Sequence, residues 1–400
     1  MLAQELKYIR DAGLYRSFRT MESASDAQVQ VESQRLIMCA SNNYLGLANH
    51  PELMDAACNA IRRFGTGSSG SRLITGNTQL HDELEAALSR FKKTEAAIVF
   101  NTGFMANLAV LSTLVKDNDV IFSDELNHAS IIDGCRLSRA HVVVYRHNDM
   151  ADLEDKLIQH VQTRRQSNPG AEAQSFRALI VTDGVFSMDG DIALLPKIVE
   201  LAERFKAWVM VDDAHATGVL GTHGGGTADY YGLPAERVHV QLGTLSKALG
   251  AEGGYVAGSQ VLIDYLRNRA RPFIFSTALS PGVVATAKAA MELVEREPQR
   301  RTRLQDIARS VREGLTLLGF RVLPGVTPII PVIIGDPQRA VDFGRRLEAM
   351  GVFAPAVRPP SVPAGTSRIR LTLMATHSDE DVHRILDAFA RIGSELEVIA

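Results

Sequence analysis

The chain has 400 residues, 46% of them apolar and 22% charged, and its 43 Lys and Arg against 46 Asp and Glu leave a net charge of −3. That length allows two or three domains of about 150 residues, with a core that needs no disulfide or metal staple. The charge balance argues against a dedicated nucleic-acid binder, which needs a basic surplus to displace counterions. No apolar run approaches the roughly 20 residues that cross a bilayer. Three cysteines at unrelated spacings, Cys39, Cys58 and Cys135, and a mixed polar N-terminus without a secretory signal point to a reducing, cytoplasmic setting.

In chain order, residues 51–64 carry helical periodicity opening on Pro51, and residues 84–91 do the same. Short apolar runs follow at 96–100, 120–122, 142–145, 178–182, 208–211, 238–242 and 254–257. Each is too short for a helix, and several are rich in β-branched residues, as buried parallel strands are. Helical patterns at 150–166 and 195–205 lie between them, an alternation that predicts a layered α/β domain around a mostly parallel sheet. Residues 163–175 (TRRQSNPGAEAQS) read as the most loop-like stretch. From 281 to 318 the pattern is helical; strands at 329–334 and 369–372 and helices at 340–350 and 379–392 then suggest a smaller α+β domain. Three prolines make 358–367 a loop.

Several motifs could carry chemistry. Residues 65–70 (GTGSSG) match the dinucleotide fingerprint, but a helix precedes them where a strand is required, so a tight polar loop is the better reading. Residues 101–107 (NTGFMAN) lie between strand and helix, where a glycine lets backbone N–H groups approach an anion. In 208–221 (WVMVDDAHATGVLG) two aspartates and a histidine stand at a strand end. Two carboxylates there are costly without a positive partner, so a cationic cofactor would account for Asp212, Asp213 and His215 together; a metal site lacks further ligands at suitable spacing. In 241–250 (QLGTLSKALG) Lys247 sits among hydroxyl and small residues, where desolvation can free an amine nucleophile. A lone lysine after a strand is ordinarily a surface residue. Here Gly103, Asp212, His215, Thr244 and Lys247 all fall at or beyond strand ends, where open parallel sheets bind ligands.

The segments NNYLGL (42–47), GTGSSGSRLITGN (65–77), DELNHASIID (124–133), VFSMDG (185–190), VDDAHATGVLG (211–221), GTLSKALG (243–250) and RPPSVPAGTSRIRLTL (358–373) occur in the order found in the α-oxoamine synthases, and the chain resembles that family over nearly its whole length. These are pyridoxal 5′-phosphate (PLP) enzymes of fold type I. The resemblance implies a large domain with a mostly parallel seven-stranded sheet between helices and a smaller α+β C-terminal domain. The chain would divide into an N-terminal arm (1–45), a large PLP-binding domain (46–285) and a small domain (286–400). It implies that Lys247 carries the cofactor, Asp212 pairs with its ring nitrogen, and His128 lies over the ring. Ser187 and His215 would reach the phenolic oxygen, and Gly103, Phe104 and Thr244 the phosphate. Ser276 and Thr277 would serve the phosphate of a second subunit, which implies a homodimer with shared active sites. Arg370 would grip the amino-acid carboxylate, with Arg16, Asn42 and Ser361 also touching substrate and Arg19 a competitor to Arg16. The glycine-rich and 358–373 segments are most like the family member that joins L-alanine to a pimeloyl thioester, carried by CoA or acyl-carrier protein, in biotin synthesis. A sister activity on glycine and acetyl-CoA is the alternative; a non-catalytic subunit on the same fold is disfavoured because Lys247, Asp212, His128 and Arg370 are all retained.

Overall fold

The structure is a computed structural model that describes residues 1–11, 14–15, 18–167 and 177–399, without the side chains of 164–167. Two strands near the N-terminus, β1 (Gln28–Val31) and β2 (Gln34–Met38), form an antiparallel hairpin. The large sheet holds β3 (Ala96–Phe100), β4 (Val120–Asp124), β5 (His141–Tyr145), β6 (Ala178–Asp183), β7 (Trp208–Asp212), β8 (Val240–Thr244) and β9 (Gly254–Gly258). Its seven strands run in the order β3-β9-β8-β7-β6-β4-β5, and β9 alone is antiparallel to its neighbours. Beyond it, β10 (Ile329–Gly335), β12 (Ala356–Val357) and β13 (Ser367–Thr372) make an antiparallel sheet in the order β10-β13-β12, while β11 (Val352–Phe353) joins the N-terminal hairpin parallel to β2.

The strands form because their side chains alternate between two buried faces. Ile121, Leu179, Val181 and Met210 pack on one face with Ala106, Val110, Ile131 and Leu262 from the helices Gly103–Leu114, Ala129–Ser138 and Gln260–Arg269. Val120, Phe122, Ile180, Val209 and Val211 pack on the other, with Leu153 and Leu157 of Met150–Ser167 and Ile198, Val199 and Ala202 of Leu195–Phe205. Among the described residues no helix is long and apolar enough to cross a membrane.

All seven strands expected in the large sheet are present, with one displaced. The strand expected at 238–242 begins at Val240, because Ala235–Arg237 forms a 3₁₀ turn that delays entry into the sheet. The helical stretch from 281 is two helices, Pro281–Arg296 and Gln299–Leu317, divided at Pro298, which lacks the N–H needed to continue the first. Of the loop expected at 163–175, residues 163–167 instead finish the helix Met150–Ser167; residues 168–175 lie outside the described residues.

One ion pair ties the helix Gln79–Lys92 to the end of β7. The Lys92 and Asp213 side chains are fully buried, with Lys92 Nζ 2.8 Å from Asp213 Oδ2. The ammonium also donates to the Gly225 carbonyl, and Asp213 Oδ1 accepts from the Thr227 N–H at 3.1 Å and hydroxyl at 2.6 Å. Burial works to lower the Lys92 pKa, and the neighbouring Asp213 more than offsets it, so the lysine stays charged. Removing one partner of such a pair strands a charge in the core. Lys92→Met is therefore expected to cost about 3–5 kcal/mol, and adding Asp213→Asn should recover part of the loss. Thermal melts of the single and double variants check this: the double must melt above the single.

Candidate active site

The carboxyl ends of β6 and β7 bring two acids side by side, since Asp183 and Asp212 are register partners. Asp212 is 4% exposed; its Oδ2 accepts from Asn107 Nδ2 at 2.7 Å and its Oδ1 from the Ala214 N–H at 2.9 Å. Burial raises the Asp212 pKa, with the Asn107 hydrogen bond and Lys247 opposing. Burial raises the Asp183 carboxyl well above its usual range, helped by the Asp212 charge, although the His128 N–H donates to it at 2.8 Å. Asp213 does not share this role. Its side chain turns toward Lys92, which already supplies its positive partner, so the expectation that a cationic cofactor accounts for both aspartates is corrected to Asp212 alone.

Lys247 lies on the turn after β8, mostly buried, with Nζ 2.9 Å from His215 Nε2. His215 Nδ1 is 2.6 Å from the Tyr44 hydroxyl, which donates to Asn42 Oδ1 at 3.2 Å. Every donor in this chain meets an acceptor when Lys247 donates to Nε2 and His215 donates from Nδ1 to Tyr44. The imidazole is held neutral: burial first, then the Lys247 and Arg370 charges, push its pKa well below the ordinary value. Burial also lowers the Lys247 pKa, with Asp212 and Asp183 opposing and Arg370 assisting. The far end of the chain is Arg370 on β13, whose Nη2 is 3.4 Å from Asn42 Oδ1 and whose Nε donates to the Ser187 carbonyl.

Gly103 starts the helix Gly103–Leu114 under a Thr102 cap, and a Cβ there would stand 3.5 Å from Thr244 Cβ. Thr244 is buried at the end of β8 and donates to the Gly253 carbonyl at 2.8 Å, with Ser246 Oγ 2.6 Å away. These hydroxyls, with the free N–H groups of a helix start, suit a phosphate. Phe104 is exposed beside them. The loop 65–77 follows the helix Pro51–Phe64, so the context a dinucleotide site needs is absent. That loop meets 277–279 instead: Ser71 bridges Thr277, and Ser68 Oγ donates to the Leu279 carbonyl. Thr277 also accepts from Asn101 at 2.9 Å through its carbonyl, which places Ser276 and Thr277 at the rim of the β3 end. Ser361 is exposed in the 358–367 loop. Arg16 lies outside the described residues. Arg19 is held by Glu348 at 2.5 Å and Glu32 at 3.0 Å, which occupies it as a competitor.

The structure brings Asn42, His128, Asp212, His215, Lys247 and Arg370 into one hydrogen-bonded or charge-coupled group. Sequence reasoning missed Tyr44, Asn107, Ser130 and Asp183. Asn107 and Ser130 stood inside the quoted motifs, but only the fold shows what they face.

This cluster fits PLP. A buried carboxylate whose pKa burial raises calls for a cation such as a pyridinium, a desolvated lysine suits the aldehyde, and the glycine-started helix suits the phosphate. A model of the family "Aminotransferase class I and II" matches residues 35–389. The chain belongs to that family. Within it the chain is an α-oxoamine synthase, a PLP-dependent acyltransferase. It is 49% identical over 396 residues to the 8-amino-7-oxononanoate synthase of Lysinibacillus sphaericus, covering 99% of this chain and 98% of that one. It is 49% identical over 398 residues to 8-amino-7-oxononanoate synthase 2 of Bacillus subtilis (strain 168), covering 100% and 98%. Among solved structures, serine palmitoyltransferase from S. paucimobilis with a bound PLP–myriocin aldimine matches with a TM-score of 0.90 at 33% identity over 100% of this chain and 98% of that one. The 8-amino-7-oxononanoate synthase of Francisella tularensis matches at 0.76 and 26%, covering 91% and 99%. The fold is accordingly type I of the PLP-dependent transferases.

The turn carrying Ser187 is strapped from two sides. Arg368 holds Asp189 at 2.6 Å and Thr327 donates to the Gly190 carbonyl at 2.7 Å, while His147 bridges Asp191 at 2.8 Å and Asp124 at 3.0 Å. Burial works to lower the His147 pKa, but the hydrogen bonds to Asp124 and Asp191 overcome it and raise it to about 10 from 6.5. A raised pKa contributes stability fully below the unfolded value of 6.5 and loses it as pH climbs through about 10. The parent's melting temperature should therefore fall across that window more steeply than that of His147→Gln. Parallel pH–melting curves that coincide would contradict this.

Proposed function

We propose that the chain condenses L-alanine with a pimeloyl thioester, releasing carbon dioxide and the thiol carrier, to give 8-amino-7-oxononanoate for biotin synthesis. What carries this reading is 49% identity over the full length to synthases of that name, with Lys247, His215, Asp212 and Arg370 gathered at one site. PLP, when bound, supplies an electron sink for a carbanion at the amino-acid Cα. Asp212 would hold the ring nitrogen protonated, His128 would cover the ring face, Ser187 and His215 would address the phenolic oxygen, and Gly103, Phe104 and Thr244 would hold the phosphate. Lys247 Nζ, with its pKa lowered by burial, takes the Cα proton and later returns one. Arg370 presents its two terminal nitrogens to the substrate carboxylate, because Nε is already spent on Ser187. Asn42, Ser361 and Arg16 complete the substrate contacts.

The active unit in this reading is a cytoplasmic homodimer, with an arm (1–45), a large domain (46–285) and a small domain (286–400) in each subunit. Exposed apolar side chains support it: Ile74 is 81% and Phe275 71% exposed, on segments joined by the Ser71–Thr277 bridge. Ser276 and Thr277, on that surface, then serve the partner's phosphate.

Three measurements test this reading. Borohydride should fix PLP on Lys247, and a label on any other lysine refutes the assignment. Purified protein with PLP should turn alanine and pimeloyl-CoA or pimeloyl-acyl-carrier protein into the amino-ketone of matching mass; a product from glycine and acetyl-CoA alone overturns the substrate reading. Arg370→Ala should keep PLP but raise the alanine KM roughly ten- to hundredfold, as loss of a charge-assisted pair predicts. An unchanged alanine KM would remove Arg370 from the carboxylate site.

A further inference from the structure

Asn107, on the helix Gly103–Leu114, reaches two of the site's side chains at once. Its Nδ2 stands 2.7 Å from Asp212 Oδ2 and 2.9 Å from Ser130 Oγ. Ser130 Oγ is 2.7 Å from His128 Nδ1, and the Ser130 N–H also donates to that nitrogen at 3.2 Å. Asn107 and Ser130 are each 1% exposed.

We propose that Asn107 is a positioning residue for the cofactor: its amide sets the Asp212 carboxylate and, through the Ser130 hydroxyl, holds in place the His128 ring, whose proton lies on Nε2. This rests on the reading that Asp212 and His128 face PLP. The directions of the bonds follow from chemistry alone. A backbone N–H can only donate, so His128 Nδ1 is an acceptor and the neutral ring carries its proton on Nε2. Ser130 Oγ receives one amide hydrogen of Asn107, leaving its own proton for Nδ1. The other amide hydrogen goes to Asp212; a flipped amide would set oxygen against carboxylate oxygen.

The orientation has a cost. Asn107 Oδ1 is buried and has no hydrogen-bond partner among the described residues. A side chain kept only for packing would be better replaced by leucine, which leaves no polar atom unpaired. The groups facing His128 agree with a neutral ring: burial lowers its pKa, Asp212 opposes and Lys247 assists, while Asp183 is engaged by its backbone N–H.

The test uses apoprotein reconstituted with PLP, in the parent, Asn107→Leu, Ser130→Ala and a core control on the same helix, Val110→Ala. Asn107→Leu should weaken PLP binding roughly ten- to hundredfold and shift the pH midpoint of the bound cofactor's visible absorption. Ser130→Ala keeps the backbone N–H on His128 Nδ1, so the Nε2 tautomer should persist. The Nδ1 resonance in nitrogen-15 spectra, assigned with His128→Gln, should move on losing the hydroxyl, and PLP affinity should be disturbed less than in Asn107→Leu. Val110→Ala should lower the melting temperature without either signature. A parent whose His128 carries its proton on Nδ1 overturns the proposal, as does an Asn107→Leu variant with parental affinity and pH profile. Should Asn107→Leu not fold, the Nδ1 resonance of Ser130→Ala decides the His128 branch, and a resonance unmoved from the parent's overturns it. A parent that binds no PLP sinks the cofactor reading instead, so the two failures are told apart.

Discussion

A carboxylate with 4% of its surface exposed, Asp212, stands at the end of β7 with Asp183 beside it in register. Burying one charge without a partner is expensive, and two adjacent acids are worse. The surroundings of β7 meet part of that cost with directed donors, the Asn107 amide, the Ala214 N–H and, for Asp183, the His128 N–H, and burial still raises both carboxyl pKa values. Such dipoles stabilise the anions without neutralising them. A cation beside Asp212 would offset the remainder, and Lys247 keeps a lowered pKa because its own burial outweighs the opposing pull of Asp212 and Asp183.

The neighbouring aspartate shows how one backbone step separates two tasks. Successive residues at the end of a strand point to opposite faces. Asp212 opens into the site, while Asp213 is closed off by Lys92 and Thr227, and Lys92 in turn donates to the Gly225 carbonyl. The first acid can be left short of positive charge because the second is fully compensated. The Lys92 pair also pins the turn that carries His215, through bonds from the Ala216 and Thr217 N–H groups to the Asp213 carbonyl.

Much of this arrangement was legible in the sequence. The sheet was readable because its strands are short, apolar and separated by helical periodicity, and the site residues fall where such strands end. The hairpin of β1 and β2 was not, since QVQV and QRLIM alternate too briefly to stand out from a polar arm. Val240 came two residues late because a 3₁₀ turn has no apolar signature. Tyr44 and Asn107 carry no charge and look like core residues until the fold sets them against His215 and Asp212. Asp213 misled for the opposite reason: its partner is 121 positions away, beyond any local pattern.

The chain of contacts from Lys247 through His215, Tyr44 and Asn42 to Arg370 has links of 2.9, 2.6, 3.2 and 3.4 Å. Rigid rings fill its middle, so the separation between amine and guanidinium is fixed before any substrate arrives. With the proposed roles of Lys247 at the amino group and Arg370 at the carboxylate, that fixed separation would act as a gauge for the distance between the two. An α-amino acid has one carbon between the two; a β-amino acid carries its carboxylate one methylene too far and must bend away from Arg370 to enter. On that reading, selection for the α class would lie in the span of the site, independent of the side chain that distinguishes one such amino acid from another.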